Sequence, residues 1–448
     1  MANLKKLPSN KICPVAVAVS QQLTALQNGA QITLLLGLSG GLDSCVLLHV
    51  LVQISKKIPI KIKVLHVNHG LSSNSNIWAN FCHLQTVKYG LQMTISQVKV
   101  DINVGLGVEA AARNARYAAL HAEQQATSAD WICLAHHQDD QAETLLLQLA
   151  RGAGAKGLSG MAMVDENRRI FRPLLNLSRA QLLAYAKQYA LQWVDDESND
   201  NTNFDRNFMR HEIVPALKKR YPTIAQTLAR SAQHLAESDA LLTELAQFDA
   251  EKTIENNVLK IGILKPLSIA RQHNLMRFWL DNNHITMPSS ARLAQVCTQI
   301  LNAKSSTKLK LADGVSLRCY AGAAHIVQDA ETLQNLSWNG EATLQLNGLQ
   351  MLKFSQNLGQ GVAMQHLTFP LSIQTRAANL RLKTQLNRPS QSLKNLFQTA
   401  NIATWARGNW PLIFSDGKLI VVPNIGFDAT LQAQENALGL TVELLPII

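Results

Sequence analysis

The stretch Leu34-Leu35-Leu36-Gly37-Leu38-Ser39-Gly40-Gly41-Leu42-Asp43-Ser44 joins an apolar run, a glycine-rich turn and the start of a helical pattern. The run 32–36 is apolar except for Thr33, as expected of a parallel strand covered on both faces. A helical pattern over about 43–54 follows it. Two adjacent glycines let the backbone close around a phosphate, while successive N–H groups and a helix N-terminus supply positive potential. The hydroxyls of Ser39 and Ser44 can donate to phosphate oxygens. The plain alternative is an ordinary glycine-rich turn with a Ser or Asp cap. This is not a Walker A loop. Where Gly-Lys-Ser/Thr would stand, the chain has Leu42-Asp43-Ser44, so a carboxylate replaces the phosphate-gripping lysine and suits a bound magnesium better.

Working outward, the first 150 residues keep alternating. Strands are expected over 62–67, 93–100 and 131–135, and helices over about 76–89, 108–125 and 139–151. Strands separated by single helices give an α/β fold, a doubly wound and mostly parallel sheet. Ligands of such sheets sit beyond the carboxyl ends of the strands, where the loop lies. Beyond Gly160 the rhythm changes. A polar segment, 195–205, leads into helix-like sequence from 206 to about 248. Residues 258–328 read as a small helical unit closed by a hairpin at Asp313-Gly314. The last hundred residues read as a small α+β domain. The length suggests about three domains, expected at 1–220, 221–335 and 345–448.

Composition narrows the partners. Forty-two Lys and Arg against 31 Asp and Glu leave a net charge of +11, which makes a polyanionic partner plausible. The acids are unevenly spread. From Ala342 through Ser415 there are none, yet Lys353, Arg376, Arg381, Lys383, Arg388, Lys394 and Arg407 are present. That window also holds Phe397, Trp405 and Trp410, which are read as bases' stacking partners, so a nucleic-acid surface is expected there. No apolar run reaches membrane-span length, so a soluble protein with no membrane partner is expected. Lys5, Lys6 and Lys11 precede an apolar stretch, 12–19, that could pass for a signal peptide. An amphipathic continuation through 21–26 favours cytoplasmic structure instead. The six cysteines form no C-x-x-C pair, which argues against a zinc ribbon or iron–sulfur site and fits a reducing compartment.

The second constellation, Ala135-His136-His137-Gln138-Asp139-Asp140-Gln141-Ala142-Glu143-Thr144, directly follows an expected strand. On a helix, Asp140 and Glu143 are i and i+3, and Asp139 and Glu143 are i and i+4, so carboxylates share one face near the loop. Such a face can bind magnesium or an ammonium group, or it can be the acid-rich start of a well-capped helix. The two adjacent histidines favour a site.

The segment Ser39-Gly40-Gly41-Leu42-Asp43-Ser44 resembles the S-G-G-x-D-S signature of the PP-loop family of ATP pyrophosphatases. Its five fixed residues would match by chance about once in a few thousand chains of this length. The motif H-H-x-D-D-Q-x-E-T narrows the resemblance to the tRNA(Ile)-lysidine synthetase family. So do His66-Val67-Asn68-His69-Gly70-Leu71, the segment from Glu109 to Tyr117, that from Arg151 to Leu158, and Asp205-Arg206-Asn207-Phe208-Met209-Arg210. The likeness covers about 30–220 closely and resumes at Ser392 to Gln398 and Pro411-Leu412-Ile413. Residues 381–389 contain no glycine where that family commonly has a glycine-rich stretch.

The resemblance implies a ligase. ATP adenylates the C2 carbonyl oxygen of the wobble cytidine (position 34) of an isoleucine tRNA with a CAU anticodon, and free L-lysine then displaces AMP to give lysidine. It further implies that Ser39, Gly40, Gly41, Leu42, Asp43 and Ser44 hold ATP, with Asp43 the magnesium ligand. His136 would lie near the α-phosphate, and Asp140 and Glu143 would recognise lysine. Arg113 and Arg206 would stabilise the nucleotide or the flipped base, while Arg206, Asn207, Arg210, Arg388 and Lys394 would contact tRNA. Arg113 and Arg116 can equally be helix-surface cations. A homodimer is left open. Two rival readings remain: a PP-loop tRNA thiolase, against which the cysteine spacing counts, and a non-catalytic tRNA-binding protein, against which the intact Asp43, Asp140 and Glu143 count.

Overall fold

The computed structural model describes residues 13–446, apart from 28, 71, 73, 100–107, 196, 198–200, 304–306, 329–332, 349 and 376–378. The chain divides into two compact units, Met1–Leu242 and Thr243–Ile448. Among the described residues no helix is long and apolar enough to cross a membrane.

The first unit begins with α1 (Pro14–Gln27) and β1 (Ile32–Gly37). There follow α2 (Leu42–Ser55), β2 (Ile60–Asn68), α3 (Ser75–Lys88), β3 (Met93–Gln97), α4 (Val108–Thr127), β4 (Trp131–Cys133) and α5 (Gln138–Ala150). Short strands β5 (Val164–Asp165) and β6 (Ile170–Phe171) complete a six-stranded sheet of order β3-β2-β1-β4-β6-β5. All neighbours pair in parallel except β5 and β6. The expected strand over 93–100 ends at Gln97, and Val100 lies outside the described residues.

Both faces of β1 are covered, which is why its sequence is an unbroken apolar run. Leu34 and Leu36 pack with Val46, Leu47 and Leu51 of α2 and with Val19 and Leu23 of α1. Leu35 points the other way, against Leu65, Leu120 and Ile132. The strand order reverses at β1, with β2 on one side and β4 on the other. The crevice beyond their carboxyl ends is therefore the topological switch point of the sheet. Both motifs, after β1 and after β4, open into it.

The rest of this unit carries α6 (Ala155–Leu158), α7 (Arg179–Gln188) and α8 (Asp205–Phe208). A π-helical turn, Met209–Ile213, then leads into α9 (Val214–Arg220) and into α10 (Ile224–Thr253), which runs on past the unit's last residue, Leu242. The expected single helical run from 206 is thus interrupted at 221–223, where Pro222 cannot continue the hydrogen-bond ladder.

In the second unit, helices Ile269–Asn282 and Ser290–Leu301 share a core with strands Lys308–Ala312, Val315–Tyr320 and Ala323–Gln328. Trp279 and Leu317 are fully buried there. The Asp313-Gly314 turn forms as expected, with Gly314 at φ +72°. These strands belong to a five-stranded antiparallel sheet, so 258–328 carries more strand than its helical patterning predicts. Among the described residues the tail is mainly β, three small antiparallel sheets of five, four and two strands with one α-helix, Leu393–Thr399.

One expectation for the tail is overturned. Phe397 is 2% exposed and lies in a cluster with Leu382, Leu393 and Leu412, with Trp410 packed against it. Trp410 also donates its indole N–H to the carbonyl of Pro423. Leu393, Leu396 and Phe397 are spaced to fill the buried side of a short helix, so burial claims the ring before any base could. Trp405 is half-buried, its ring edge-on to Tyr320 and His325.

Candidate active site

The loop after β1 is held in shape by its own bonds. Leu38 N–H donates to the carbonyl of Leu65 (2.9 Å), and Val194 N–H donates to that of Gly40 (2.9 Å). Gly40 N–H donates to Ser44 Oγ (3.1 Å), whose hydroxyl donates to the carbonyl of Gly41 (2.9 Å). Ser44 therefore braces the loop, while Ser39 Oγ stands 3.1 Å from it. Gly40 sits at φ +90°, and a Cβ there would lie 3.0 Å from both Cys82 Sγ and Val194 Cγ2. Only glycine fits that position. Gly41 is the N-cap of α2 and offers no side-chain cap. The first-turn N–H groups of α2 lack intrahelical acceptors, so they suit an incoming anion.

These residues line a cleft of about 980 Å³ at the switch point. The same cleft is lined by Ser39, Gly41, Leu42, Asp43, Ser44, Arg113, His136, Asp140, Glu143, Arg206, Asn207 and Arg210. Gly40 does not line the cleft; its α-carbon faces Cys82 and Val194. Arg388 and Lys394 lie in the second unit, and both are exposed.

The floor of the cleft is a carboxylate–arginine cluster between α5 and the α8–π-turn segment. Arg206 Nε donates to Glu143 Oε2 and its Nη2 to Asp140 Oδ1, both at 2.9 Å. Arg210 Nε donates to Glu143 Oε1 (2.7 Å), and its Nη2 reaches Glu143 Oε2 (2.9 Å) and Asp140 Oδ1 (3.1 Å). Burial opposes ionisation of Asp140, but His137 and Arg206 outweigh it and hold the carboxyl well below the ordinary range. Burial likewise disfavours the Arg206 cation, and Asp140 and Glu143 more than compensate. Asp139 turns away from this pair, paired with the Lys218 ammonium and accepting the Arg179 N–H (3.2 Å).

The two histidines differ. His136 is pushed well below its usual pKa by burial, and Arg206, Arg116 and Arg172 act in the same direction, so at neutral pH it is an uncharged donor rather than a cation. Its Nδ1 is buried without a hydrogen-bond partner among the described residues. His137 is pushed the other way: burial disfavours its protonation, yet Asp140 and Asp43 hold it above the usual value. Of the two helix cations, Arg113 is exposed beside Tyr117, whereas Arg116 is half-buried, its Nε without a hydrogen-bond partner among the described residues. The Asn207 side-chain amide donates to the carbonyl of Asn201, bracing the approach to α8. Sequence reasoning gave no role to His137 or to Lys218, the partner of Asp139, and left Arg116 open as a helix-surface cation. The doubled histidine was the available signal for the first.

An open helix N-terminus after a glycine-rich turn, a facing carboxylate and a nucleotide-sized cleft at a switch point define an ATP-using PP-loop domain. Residues 15–217 match the PP-loop domain family, 259–325 the TilS substrate binding domain, and 371–444 the TilS substrate C-terminal domain. The chain is 39% identical over 420 residues to a tRNA(Ile)-lysidine synthase of Nitrosomonas europaea, covering 91% of each. It is 36% identical over 434 residues to that of an Azoarcus species, covering 95% of each, and 34% over 438 residues to that of Ralstonia nicotianae, covering 94% of each. The chain belongs to the tRNA(Ile)-lysidine synthase family, ligase-type tRNA-modifying enzymes that use ATP.

Proposed function

We propose that the cleft binds ATP on the 39–44 loop and transfers AMP to the C2 carbonyl oxygen of the wobble cytidine (position 34) in a CAU-anticodon isoleucine tRNA. Pyrophosphate leaves in that step. The ε-amine of free L-lysine then attacks C2, loses a proton, and expels AMP with its oxygen. The product decodes AUA instead of AUG and carries isoleucine rather than methionine identity. The observation that carries this reading is the meeting, in one cleft, of the uncapped α2 N-terminus with the Asp140–Glu143 carboxylates.

In this reading the first-turn N–H groups of α2 and the Ser39 hydroxyl receive phosphate oxygens. Magnesium fits beside them, because Asp43 Oδ1 is buried with no partner among the described residues and the ion needs only one or two carboxylates alongside phosphates and water. When bound, it neutralises charge on the departing pyrophosphate. Neutral His136 donates a hydrogen bond toward the α-phosphate. Arg113, Arg116 and Arg206 surround the nucleotide and the flipped base, whose extrusion is required for C2 to be reached.

Lysine recognition by Asp140 and Glu143 has a structural condition. Both carboxylates are engaged by arginines, so an ammonium group would compete with a guanidinium for them. Arg210 is the one to move, since its side chain is 28% exposed against 17% for Arg206, and an RNA phosphate can take it. Neighbouring guanidiniums also favour the neutral, nucleophilic amine.

We assign catalysis to 1–220 and tRNA binding to 221–335 and 345–448, with Arg388 and Lys394 in the acid-free window on the RNA, in a cytoplasmic enzyme. The test is incubation with labelled lysine, ATP-Mg and a CAU-anticodon isoleucine tRNA transcript, beside Asp43→Ala. Label should enter tRNA with the wild type alone. Pyrophosphate release that depends on a sulfur donor would point to a thiolase, and no turnover at all to a binder.

A further inference from the structure

We propose that His137 is a positioning residue that ties the ATP-loop carboxylate to the carboxylate–arginine cluster, presenting Asp43 to the nucleotide by a single oxygen. This rests on the reading that Asp43 serves the ATP step.

His137 is the N-cap of α5, in extended conformation (φ −129°, ψ −176°), and is only 3% exposed. Its Nδ1 accepts the Asp139 N–H (3.2 Å). With that lone pair engaged, the proton of a neutral ring belongs on Nε2. Nε2 faces two carboxylates at once, Asp43 Oδ2 at 3.4 Å and Asp140 Oδ2 at 3.5 Å. Asp140 is fixed independently of the ring: its Oδ2 accepts the His137 N–H (2.9 Å) and its Oδ1 accepts both arginines. Asp43 has no such second anchor among the described residues, for its Oδ1 is buried without a hydrogen-bond partner there.

The imidazole therefore spans from an immobile carboxylate on α5 to a carboxylate on α2 that would otherwise turn about its side-chain torsions. One oxygen of Asp43 is held toward the ring and the other is left for the ligand. Capping alone does not explain this residue, because Asn, Asp and Ser are the favoured caps and reach the same N–H. A short cap stops well before Asp43.

The two roles separate by substitution. His137→Asn keeps a cap oxygen near the Nδ1 position and loses the reach to Asp43. His137→Gln carries its amide N–H out to where Nε2 stands and caps poorly. In the full-length protein, with lysine incorporation into tRNA as the assay, His137→Asn should unfold close to the wild type. Its kcat should fall on the order of 10–100-fold, with the KM values for ATP and lysine shifted less than about threefold. His137→Gln should unfold earlier and yet recover part of that kcat. The proposal is overturned if the Asn variant matches wild-type kcat, or if Gln is no better than Asn. Should the Asn variant not fold, His137→Ser offers the same cap and takes its place. Asp43→Ala separates the underlying reading: if it turns over normally, the ATP-loop assignment fails, whereas a dead Asp43→Ala beside an unimpaired His137→Asn removes the positioning role alone.

Discussion

The cleft of the first unit and the acid-free window of the second are both rich in charge, and they hold it in opposite ways. In the cleft every guanidinium of the floor is clasped: Arg206 and Arg210 share Glu143 and Asp140 at 2.7–3.1 Å. In the window, Arg388 and Lys394 are exposed, within a stretch of sequence that offers no carboxylate at all. A charge taken out of water must be partnered or it destabilises the fold. A charge left in water needs no partner and stays available, at the cost of being screened by salt. The first arrangement fixes geometry for a reaction. The second suits a long, uniformly charged ligand.

The comparison breaks most visibly at Glu143. Glu143→Ala leaves two partly buried guanidiniums short of a carboxylate, and loss of one partner of a buried pair costs about 3–5 kcal/mol. The denaturant midpoint at pH 7 should fall accordingly, with Glu143→Gln falling less because its amide oxygen still accepts. A midpoint unchanged in Glu143→Ala would mean that the cluster is as loosely held as the tail.

Next in size is Gly40→Ala. A side chain at φ +90° is strained by about 1–3 kcal/mol, and its methyl would press on Cys82 and Val194 at 3.0 Å. Because the loop's carbonyl and N–H bonds are anchored on either side, the strain should show chiefly as a loss of ATP-dependent rate. The readout is lysine incorporation set beside thermal unfolding, and an equal loss in both would assign Gly40 to folding alone.

Acid should separate the two regions as well. Asp140 has its pKa depressed in the folded state, chiefly by His137 and Arg206 acting against burial. Its contribution is then complete above the unfolded carboxyl value of about 3.9 and is withdrawn as pH falls through the lower folded value. Stability should therefore be flat in this respect from pH 7 to 5 and decline below about pH 4. Asp140→Asn, measured by denaturant midpoints across that range, should lack its share of the decline.

What the sequence disclosed was local. The apolar run 32–36 with its Ser39–Ser44 turn, and the His136–Glu143 motif after a strand, are each defined within a dozen residues, so period and spacing place them. The pairing of Asp140 and Glu143 with Arg206 and Arg210 was not legible, because these arginines arrive from 63 to 70 residues away, Arg206 on α8 and Arg210 on the π-helical turn after it. Nor was the division of labour between His136 and His137. Adjacent residues in extended conformation point to opposite sides, and only the cap geometry decides which ring meets Asp43. Phe397 shows the converse failure: composition suggested an exposed stacking ring, while the spacing Leu393-Leu396-Phe397 already carried the mark of a buried helix face.

The smallest stability effect and the sharpest functional one are expected together, at Arg388 and Lys394. Neither side chain is buried, so charge reversal at both should move stability by no more than about 0.5 kcal/mol for each site. If they face phosphates, each lost contact lowers the slope of log affinity against log salt by about one, weakening tRNA binding most at low salt. The KM for ATP should stay put, since the proposed nucleotide site is built from residues of the first unit. Binding curves at several salt concentrations, with ATP kinetics on the same preparations, test both halves. An unchanged affinity at low salt would remove the acid-free window from the RNA surface, leaving its cations as solvated charge.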